Sequence, residues 1–195
     1  MGEKSVQKKK LILETARKVF VEKGYKKVTM KDVVEACNIS RGGLYLYFES
    51  TQQIFMEVMK MESQEADDVF SENIKEDATA SDILTLFLQE QKKEILRTED
   101  TLIQAIYEFY FENQPAKKDN FLKHQFDSLV KVLEKLIEVG VENGEFYCEN
   151  CMEAARNIMY VLEGMRITAQ TIGIKEEMVD REILFILKSL DTNVE

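Results

Sequence analysis

The stretch 29–48, which reads TMKDVVEACNISRGGLYLYF, constrains the fold of this chain more than any other part of the sequence. Four of its apolar residues follow the spacing i, i+3, i+4 and i+7, namely Met30, Val33, Val34 and Cys37. This period is typical of one apolar face of a helix, whereas a strand would alternate every second residue. The stretch therefore predicts a short amphipathic helix at its start.

Capping residues mark the ends of that helix. Thr29 precedes it and Asp32 follows three residues later, a spacing typical of a capping box. Asn38 follows the last periodic residue, where a left-handed residue commonly ends a helix and Asn can replace Gly. Ser40 can cap a second helix, with Leu44 on its inward side. Two short helices joined by a turn of three or four residues predict a helix-turn-helix.

The outer face of the second helix suits contact with DNA. Two glycines in its first turn each cost about 1 kcal/mol relative to Ala, and close approach of the backbone to a partner explains them. An Arg can bind a base edge with two hydrogen bonds, and hydroxyl groups can donate to phosphates. The residues predicted to lie in the major groove are Arg41, Gly42, Gly43 and Tyr45, and those predicted near phosphates are Thr29, Lys31, Ser40 and Tyr47. A helical hairpin with a solvated face is the alternative.

At these residues the chain resembles the tetracycline-repressor (TetR) family of bacterial transcription factors. The family signature, approximately T-x-x-[DE]-[IV]-(A)-x-x-A-G-[VI]-S-x-G-x-[LI]-Y-x-[HY]-F, is matched at Thr29, Asp32, Val33, Ile39, Ser40, Gly42, Leu44, Tyr45, Tyr47 and Phe48. The resemblance extends from Leu11 to about Met61. Beyond it, the chain resembles the family only in being helical.

Two departures from the family pattern stand out. Cys37-Asn38 replaces the usual Ala-Gly of the turn, which the capping argument tolerates. Ser50-Thr51-Gln52 stands where the family commonly has a Lys that holds a phosphate. That contact is therefore either missing or made by Thr51 and Ser50.

The resemblance implies an all-α fold of about nine helices, with a three-helix head on a larger helical bundle. It places the DNA-binding domain at 7–50, with the helix-turn-helix at about 30–49 and a connecting helix at about 51–75. Residues 51–195 would bind a ligand and form a dimer. In the family, the connecting helix transmits ligand binding to the DNA heads.

The charge distribution agrees with a head that meets DNA. Residues 1–50 hold 11 Lys and Arg and 6 Asp and Glu, a net charge of +5. The remainder holds 26 − 11 = 15 basic and 36 − 6 = 30 acidic residues, a net charge of −15. A basic head on an acidic body is expected of a protein that contacts phosphate at one end only.

Composition favours long helices in a cytoplasmic protein. One proline and eight glycines in 195 residues leave few helix breakers. Three cysteines fit a reducing compartment, no signal peptide is readable, and the longest apolar run spans only five residues. We expect a frayed arm at 1–7, a first helix ending at Gly24, and a break after Asn113 at Pro115.

The last two predicted helices suggest a dimer. A helix that is apolar on several faces must be buried on several faces, and a partner chain can cover the outer one. A four-helix bundle formed by two chains meets this need, as in the family. The predicted interface residues are Ile158, Leu162, Met165, Ile183, Ile186, Leu187 and Leu190. A core helix buried within a monomer is the alternative.

A cluster of aromatic and polar residues could line an effector cavity, since small-molecule sites are mostly apolar with a few polar groups. The predicted lining residues are Met59, Gln104, Tyr107, Glu108, Tyr110, Phe111, Phe126 and Met159. Stripes of this kind at helical spacing also occur in ordinary cores.

The remaining chemistry is sparse. Cys148 and Cys151 have the spacing of a redox pair or half of a metal site, but zinc needs four ligands and the single histidine, His124, lies in another predicted helix. A structural role for both cysteines is the simpler interpretation. We predict no cofactor, no metal and no catalytic residue. An enzyme built on a helical bundle and a redox or metal sensor remain alternatives.

The sequence thus predicts a homodimeric transcriptional regulator, a repressor that a small hydrophobic or cationic effector releases from its double-stranded operator DNA. It predicts no membrane association. The operator, the regulated genes and the effector are not encoded in these patterns.

Overall fold

A computed structural model describes residues 3–114 and 120–191 of the chain. Across these residues it contains nine helices and no strand: α1 (Glu3–Lys23), α2 (Met30–Cys37), α3 (Arg41–Tyr45), α4 (Thr51–Asn73), α5 (Ala80–Leu96), α6 (Ile103–Asn113), α7 (Phe121–Glu142), α8 (Cys151–Thr171) and α9 (Glu176–Lys188). The predicted all-α architecture is confirmed.

The ends of most helices lie where the sequence signals predicted them. Gly24 adopts a left-handed φ of 73° after α1, and α6 ends at Asn113. The predicted break at Pro115 lies outside the described residues. The prediction of a frayed arm at 1–7 is wrong for its described part, because α1 already begins at Glu3.

The chain forms two compact units. The first, called here the head unit, comprises Met1–Ser71 and Glu99–Pro115, and therefore holds α1–α3, nearly all of α4, and α6. The second, called here the body unit, comprises Glu72–Thr98 and Ala116–Glu195, with α5 and α7–α9. The sequence predicted a DNA-binding domain at 7–50, a connecting helix at about 51–75 and a ligand-binding and dimerisation domain at 51–195. In the compact units, most of α4 and all of α6 group with the helix-turn-helix.

Aromatic rings form the core of the head unit. Phe20 of α1 and Phe55 of α4 are fully buried, with ring centroids 4.7 Å apart. Phe109 of α6 joins them, 5.3 Å from Phe55 and 4.9 Å from Tyr25. Edge-to-face and tilted ring pairs of this kind stabilise a core beyond the area they bury. Helix α6 is thus part of the core that supports the helix-turn-helix.

The body unit is a helical bundle in which α7 packs mainly on α8 and α5 contacts α7, α8 and α9. Its fully buried residues include Leu84, Leu88, Ile137 and Leu162. In the described residues, no helix is long and apolar enough to cross a membrane.

Candidate nucleic-acid interface

Local hydrogen bonds shape helix α2 at both ends. Thr29 lies at the N-cap, its hydroxyl accepts from the Asp32 N–H at 3.3 Å, and the Asp32 carboxylate accepts from the Thr29 N–H at 2.8 Å. At the other end, Asn38 is left-handed, with φ 50° and ψ 46°. The predicted capping box and the predicted turn residue are both confirmed. Because both ends are fixed, the helix presents a defined face.

Helix α3 starts at the predicted cap. The Ser40 hydroxyl accepts from the Gly43 N–H at 3.1 Å, which fixes the first turn. A Cβ at Gly43 would lie 3.1 Å from this hydroxyl oxygen, so a side chain there would press on the N-cap contact. A Cβ at Gly42 would meet nothing within 4 Å. Packing within the chain does not explain Gly42, and close approach of a partner stays the prediction for it.

The exposed face of α3 combines charge with aromatic and apolar surface. The Arg41 guanidinium lies over the Tyr45 ring, 5.5 Å from its centroid, and both side chains are exposed. Stacking of this kind limits the conformational freedom of an arginine side chain. Leu46 is 80% exposed at the end of the helix, and the sequence interpretation missed it. An exposed leucine beside Tyr45 can contact a thymine methyl group.

The residues predicted near phosphates are in different environments. Lys31 is exposed and lies 3.6 Å from Glu35 one turn later. Tyr47 is half-buried, and its hydroxyl accepts from the Ser5 hydroxyl at 3.4 Å. Thr51 is the half-buried first residue of α4, and Ser50 caps that helix by accepting from the Gln53 N–H at 3.1 Å.

Several cations of the head are paired within the chain. Lys23 binds Asp32 at 2.8 Å, and Lys9 binds Glu57 at 2.9 Å. The Lys23 ammonium, together with the hydroxyl and N–H of Thr29, holds the pKa of Asp32 far below its usual range. Asp32 therefore remains charged at neutral pH and keeps the capping box closed. Because Glu57 lies outside residues 1–50, its pairing with Lys9 reduces the positive charge that the head offers to a phosphate backbone below the net charge of +5.

Comparison with protein families shows which family has this helix-turn-helix. The model of bacterial regulatory proteins of the tetR family matches residues 12–58, which include the helix-turn-helix. A second model, the tetracyclin repressor-like C-terminal domain, matches residues 83–180, half of the chain. The chain belongs to the tetR family. This is a family of DNA-binding transcriptional regulators and not of enzymes, as the sequence predicted.

Individual relatives agree with this assignment. The chain is 31% identical over 138 residues to the uncharacterized HTH-type transcriptional regulator YfiR of Bacillus subtilis, a match covering 69% of this chain and 66% of YfiR. It spans less than half the length of two further curated relatives. Among solved structures, a TetR transcription regulator from Haloarcula marismortui superimposes with a TM-score of 0.84 at 15% identity, covering 96% of this chain and all of that one. FadR of Bacillus subtilis in complex with stearoyl-CoA superimposes with a TM-score of 0.71 at 17% identity, covering 95% and 98%.

In this TetR-family chain, Glu108 of α6 binds the turn between α1 and α2. Its carboxylate accepts from the Lys26 N–H at 3.1 Å and from the Gln104 side chain at 3.0 Å. A Cβ at Gly24 would lie 2.7 Å from the same carboxylate, so an alanine there would have to displace it. Burial favours the neutral acid, but the backbone N–H groups of Lys26 and Tyr25 and the Gln104 amide outweigh it and lower the pKa of Glu108. The sequence interpretation had assigned Glu108 and Gln104 to a ligand pocket.

The other predicted pocket residues fall into both units. Met59 is buried in the head unit, Tyr107 packs against Phe111 with ring centroids 6.3 Å apart, and Tyr110 packs against Phe109 at 5.0 Å. Phe111 is 76% exposed.

In the body unit, Met159 is buried and Phe126 packs on Tyr160 with ring centroids 5.3 Å apart. An open surface depression of that unit, lined by α5 and Glu176, contains none of the predicted residues. The pocket therefore stays a prediction.

Most residues predicted for the dimer interface belong to the core of a single body unit. Six are at most 6% exposed, namely Ile158, Leu162, Met165, Ile183, Ile186 and Leu190, and Leu187 is half-buried. The apolar side chains that α8 and α9 leave exposed are Tyr160, Ile167, Met178, Leu184 and Phe185. Burial within one chain thus explains much of the apolar character that had suggested a partner, while a different set of residues remains open to one.

The cysteines lie at the places that the sequence indicated. Cys37 is half-buried at the end of α2, and burial raises the pKa of its thiol. Cys148 and Cys151 are both partly exposed, before and at the start of α8. Among the described residues, no group of three or more His, Cys, Asp and Glu side chains could hold a metal ion.

Proposed function

We propose that this TetR-family regulator binds its operator as a homodimer through α3 and acts as a repressor that a small hydrophobic effector releases. The observation that carries the proposal is the exposed face of α3, where Arg41 stacks on Tyr45 beside a glycine that no intramolecular contact requires. A bare backbone next to a guanidinium suits insertion into the major groove, where Arg binds guanine with two hydrogen bonds.

The exposed apolar face of α8 and α9 supports a dimer. Tyr160 and Ile167 lie seven residues apart on α8, and Gly164 between them has nothing within 4 Å of its Cβ position. Phe185 and Leu184 of α9 are 66% and 50% exposed. A small residue flanked by large apolar ones allows two helices to approach closely, and two helices from each chain form a four-helix bundle.

A hydrophobic effector is supported by the aromatic residues of α6 and by the fold shared with FadR, whose structure contains stearoyl-CoA. In the proposed mechanism, the effector binds one conformation of the dimer more tightly and shifts the population away from the head spacing that fits the operator. The two recognition helices of the DNA-bound dimer should lie about 34–36 Å apart, or a multiple of this distance.

Fluorescence anisotropy on duplexes tiled across the DNA upstream of the gene tests operator binding. The proposal expects one tile to bind at least about a thousandfold more tightly than scrambled DNA near physiological salt. Arg41→Ala should lower the affinity for that duplex by about one to two orders of magnitude. Lys135→Ala, which removes an equal charge from an exposed position of α7, should leave the affinity unchanged. Weak binding to every tile that disappears as salt rises would contradict a specific operator.

Gly42→Ala tests whether the α3 backbone approaches DNA closely at this position. The free protein has open space for the new methyl group, so its unfolding curve should change little, while operator affinity should fall. An unchanged affinity would show that the α3 backbone does not approach the groove at Gly42.

Sedimentation velocity tests the dimer. Phe185→Asp should yield monomers, whereas Val132→Asp, at an exposed valine of α7, should not.

A further inference from the structure

The segment joining α7 to α8 holds two thiols next to each other. Cys148 lies in this connection and Cys151 is the first residue of α8. The Cys148 thiol is both a hydrogen-bond neighbour and a charge neighbour of Cys151. Both side chains are partly exposed, so a small reagent can reach them.

The backbone on both sides of this pair is fixed. On one side, the Tyr147 N–H donates to the Leu190 carbonyl at 3.0 Å, and the Phe146 N–H donates to the Gly140 carbonyl at 3.1 Å. On the other side, the Asn150 side chain accepts from the Glu153 N–H at 3.1 Å and caps α8. The fold therefore limits the separation of two sulfurs whose residues are three positions apart.

Phe146 strengthens this restraint from the interior. It is 7% exposed, and its ring lies where a Cβ at Gly140 would be, 2.1 Å from its Cδ2 atom. The connection is thus tied to α7 by packing and to the end of α9 by a hydrogen bond. A thiol pair held in this way loses less conformational freedom on closing to a disulfide than the same pair in an unfolded chain.

We propose that Cys148 and Cys151 form a reversible disulfide site that is oxidised by a low-molecular-weight disulfide. One thiol, as its thiolate, attacks the small disulfide, and the new sulfur–sulfur bond releases one small thiolate. The other protein thiolate then attacks the cysteine sulfur of this mixed disulfide, forms the internal bridge and releases the second small thiolate. The protein loses two protons and two electrons, and the small disulfide takes them up to become two thiols.

The surroundings distinguish the two cysteines. Burial raises the pKa of Cys151, and the charges of Cys148 and Glu138 act in the same direction. A thiol with a raised pKa supplies less of the thiolate that attacks. Burial of Cys151 therefore disfavours it as the first attacking thiol, and attack by either thiol leads to the same bridge.

Equilibration of the full-length protein with reduced and oxidised glutathione tests the site, followed by acid quenching, alkylation and mass spectrometry. In the wild type, two of the three thiols should become protected from alkylation without gain of a glutathione, and peptide mapping should link Cys148 to Cys151. Cys37→Ser should behave in the same way. Cys148→Ser and Cys151→Ser should instead each carry one glutathione.

The fold itself supplies the sharper criterion. The equilibrium constant for bridge formation should be about tenfold or more higher in the native protein than in the protein kept in denaturant. An equal constant in both states would overturn the proposal, because the fold would then contribute nothing. Glutathione adducts without an internal bridge, a bridge between two chains on a non-reducing gel, or three thiols that stay free would each overturn it as well. None of these outcomes depends on DNA binding.

Discussion

The helix-turn-helix and helix α6 belong to the same compact unit, yet interactions of different range hold them there. In the helix-turn-helix, the decisive bonds join residues three apart, as between Thr29 and Asp32 or Ser40 and Gly43. In α6, Glu108 binds the backbone of Lys26, 82 residues earlier in the chain. Short-range bonds define the recognition element itself, whereas long-range bonds determine which other helix supports it.

This difference has a consequence for regulation in a TetR-family chain. Helix α6 inserts Phe109 into the head core and binds the α1–α2 turn through Glu108. A displacement of α6 would therefore displace the head. Arg17 adds a second connection, because it binds both Glu62 of α4 and Asp100 just before α6. In the proposed mechanism, α4 and α6 are therefore two routes by which effector binding could act on the head.

Gly24→Ala should produce the largest effect among the substitutions that test the long-range connection. The new Cβ lies 2.7 Å from the Glu108 carboxylate, and it places a side chain on a residue whose φ is +73°. The free energy of unfolding should therefore fall by roughly 2–4 kcal/mol. Gly144→Ala is the matched control, since Gly144 has the same φ and open space around its Cβ position. It should cost about 1–2 kcal/mol. Urea unfolding at one fixed protein concentration measures both, and equal losses would show that the contact with Glu108 is unimportant.

Glu108→Ala should destabilise the protein by about 1–2 kcal/mol, because it leaves the N–H groups of the α1–α2 turn without their acceptor. Glu108→Gln keeps one acceptor oxygen and should cost less. The pKa of Glu108 is lowered in the folded state, so its contribution is complete above the unfolded value of about 4.3 and is lost as pH falls through the folded pKa. The difference in the free energy of unfolding between wild type and Glu108→Ala, measured with urea, should therefore become smaller below about pH 4. A gap that does not depend on pH would contradict the role of the charge.

The sequence predicted the helix-turn-helix almost completely for a physical reason. Caps, left-handed residues and helical periodicity all operate within a few positions, so Thr29, Asn38 and Ser40 could be assigned from their neighbours alone. The placement of α6 could not be predicted in this way. The pattern around Phe109 showed an apolar helix face but did not indicate which partner would cover it.

The apolar residues of α8 and α9 show the same limit. Periodicity identified Ile158 and Ile183 as buried, which they are, but it could not separate burial within one chain from burial by a second. The exposed positions Tyr160 and Phe185 became visible only when the neighbours of each helix were known. A sequence pattern shows which apolar side chains must be buried, but only the fold shows which residues bury them.

Thr29→Ala tests the short-range side of the comparison and should cost about 1 kcal/mol, since it removes the N-cap of α2. Thr29→Ser keeps the hydroxyl and should cost little. If Thr29 also contacts phosphate through this hydroxyl, the serine variant should retain operator affinity while the alanine variant loses it. An alanine variant as stable as the wild type would show that Asp32 alone holds the start of α2.

The smallest effect is expected at Asn38, where the left-handed turn of the helix-turn-helix tests how local its determinants are. Asn38→Gly removes the cost of a Cβ at φ 50° and should stabilise the protein by about 0.5 kcal/mol, whereas Asn38→Ala should destabilise it. Combining Asn38→Gly with Glu108→Ala then separates the two ranges, because sites without shared partners have additive effects on the free energy of unfolding. Additivity within about 0.5 kcal/mol would show that the turn forms independently of α6. A larger coupling would mean that α6 also shapes the turn, and the recognition element would then be less local than its hydrogen bonds indicate.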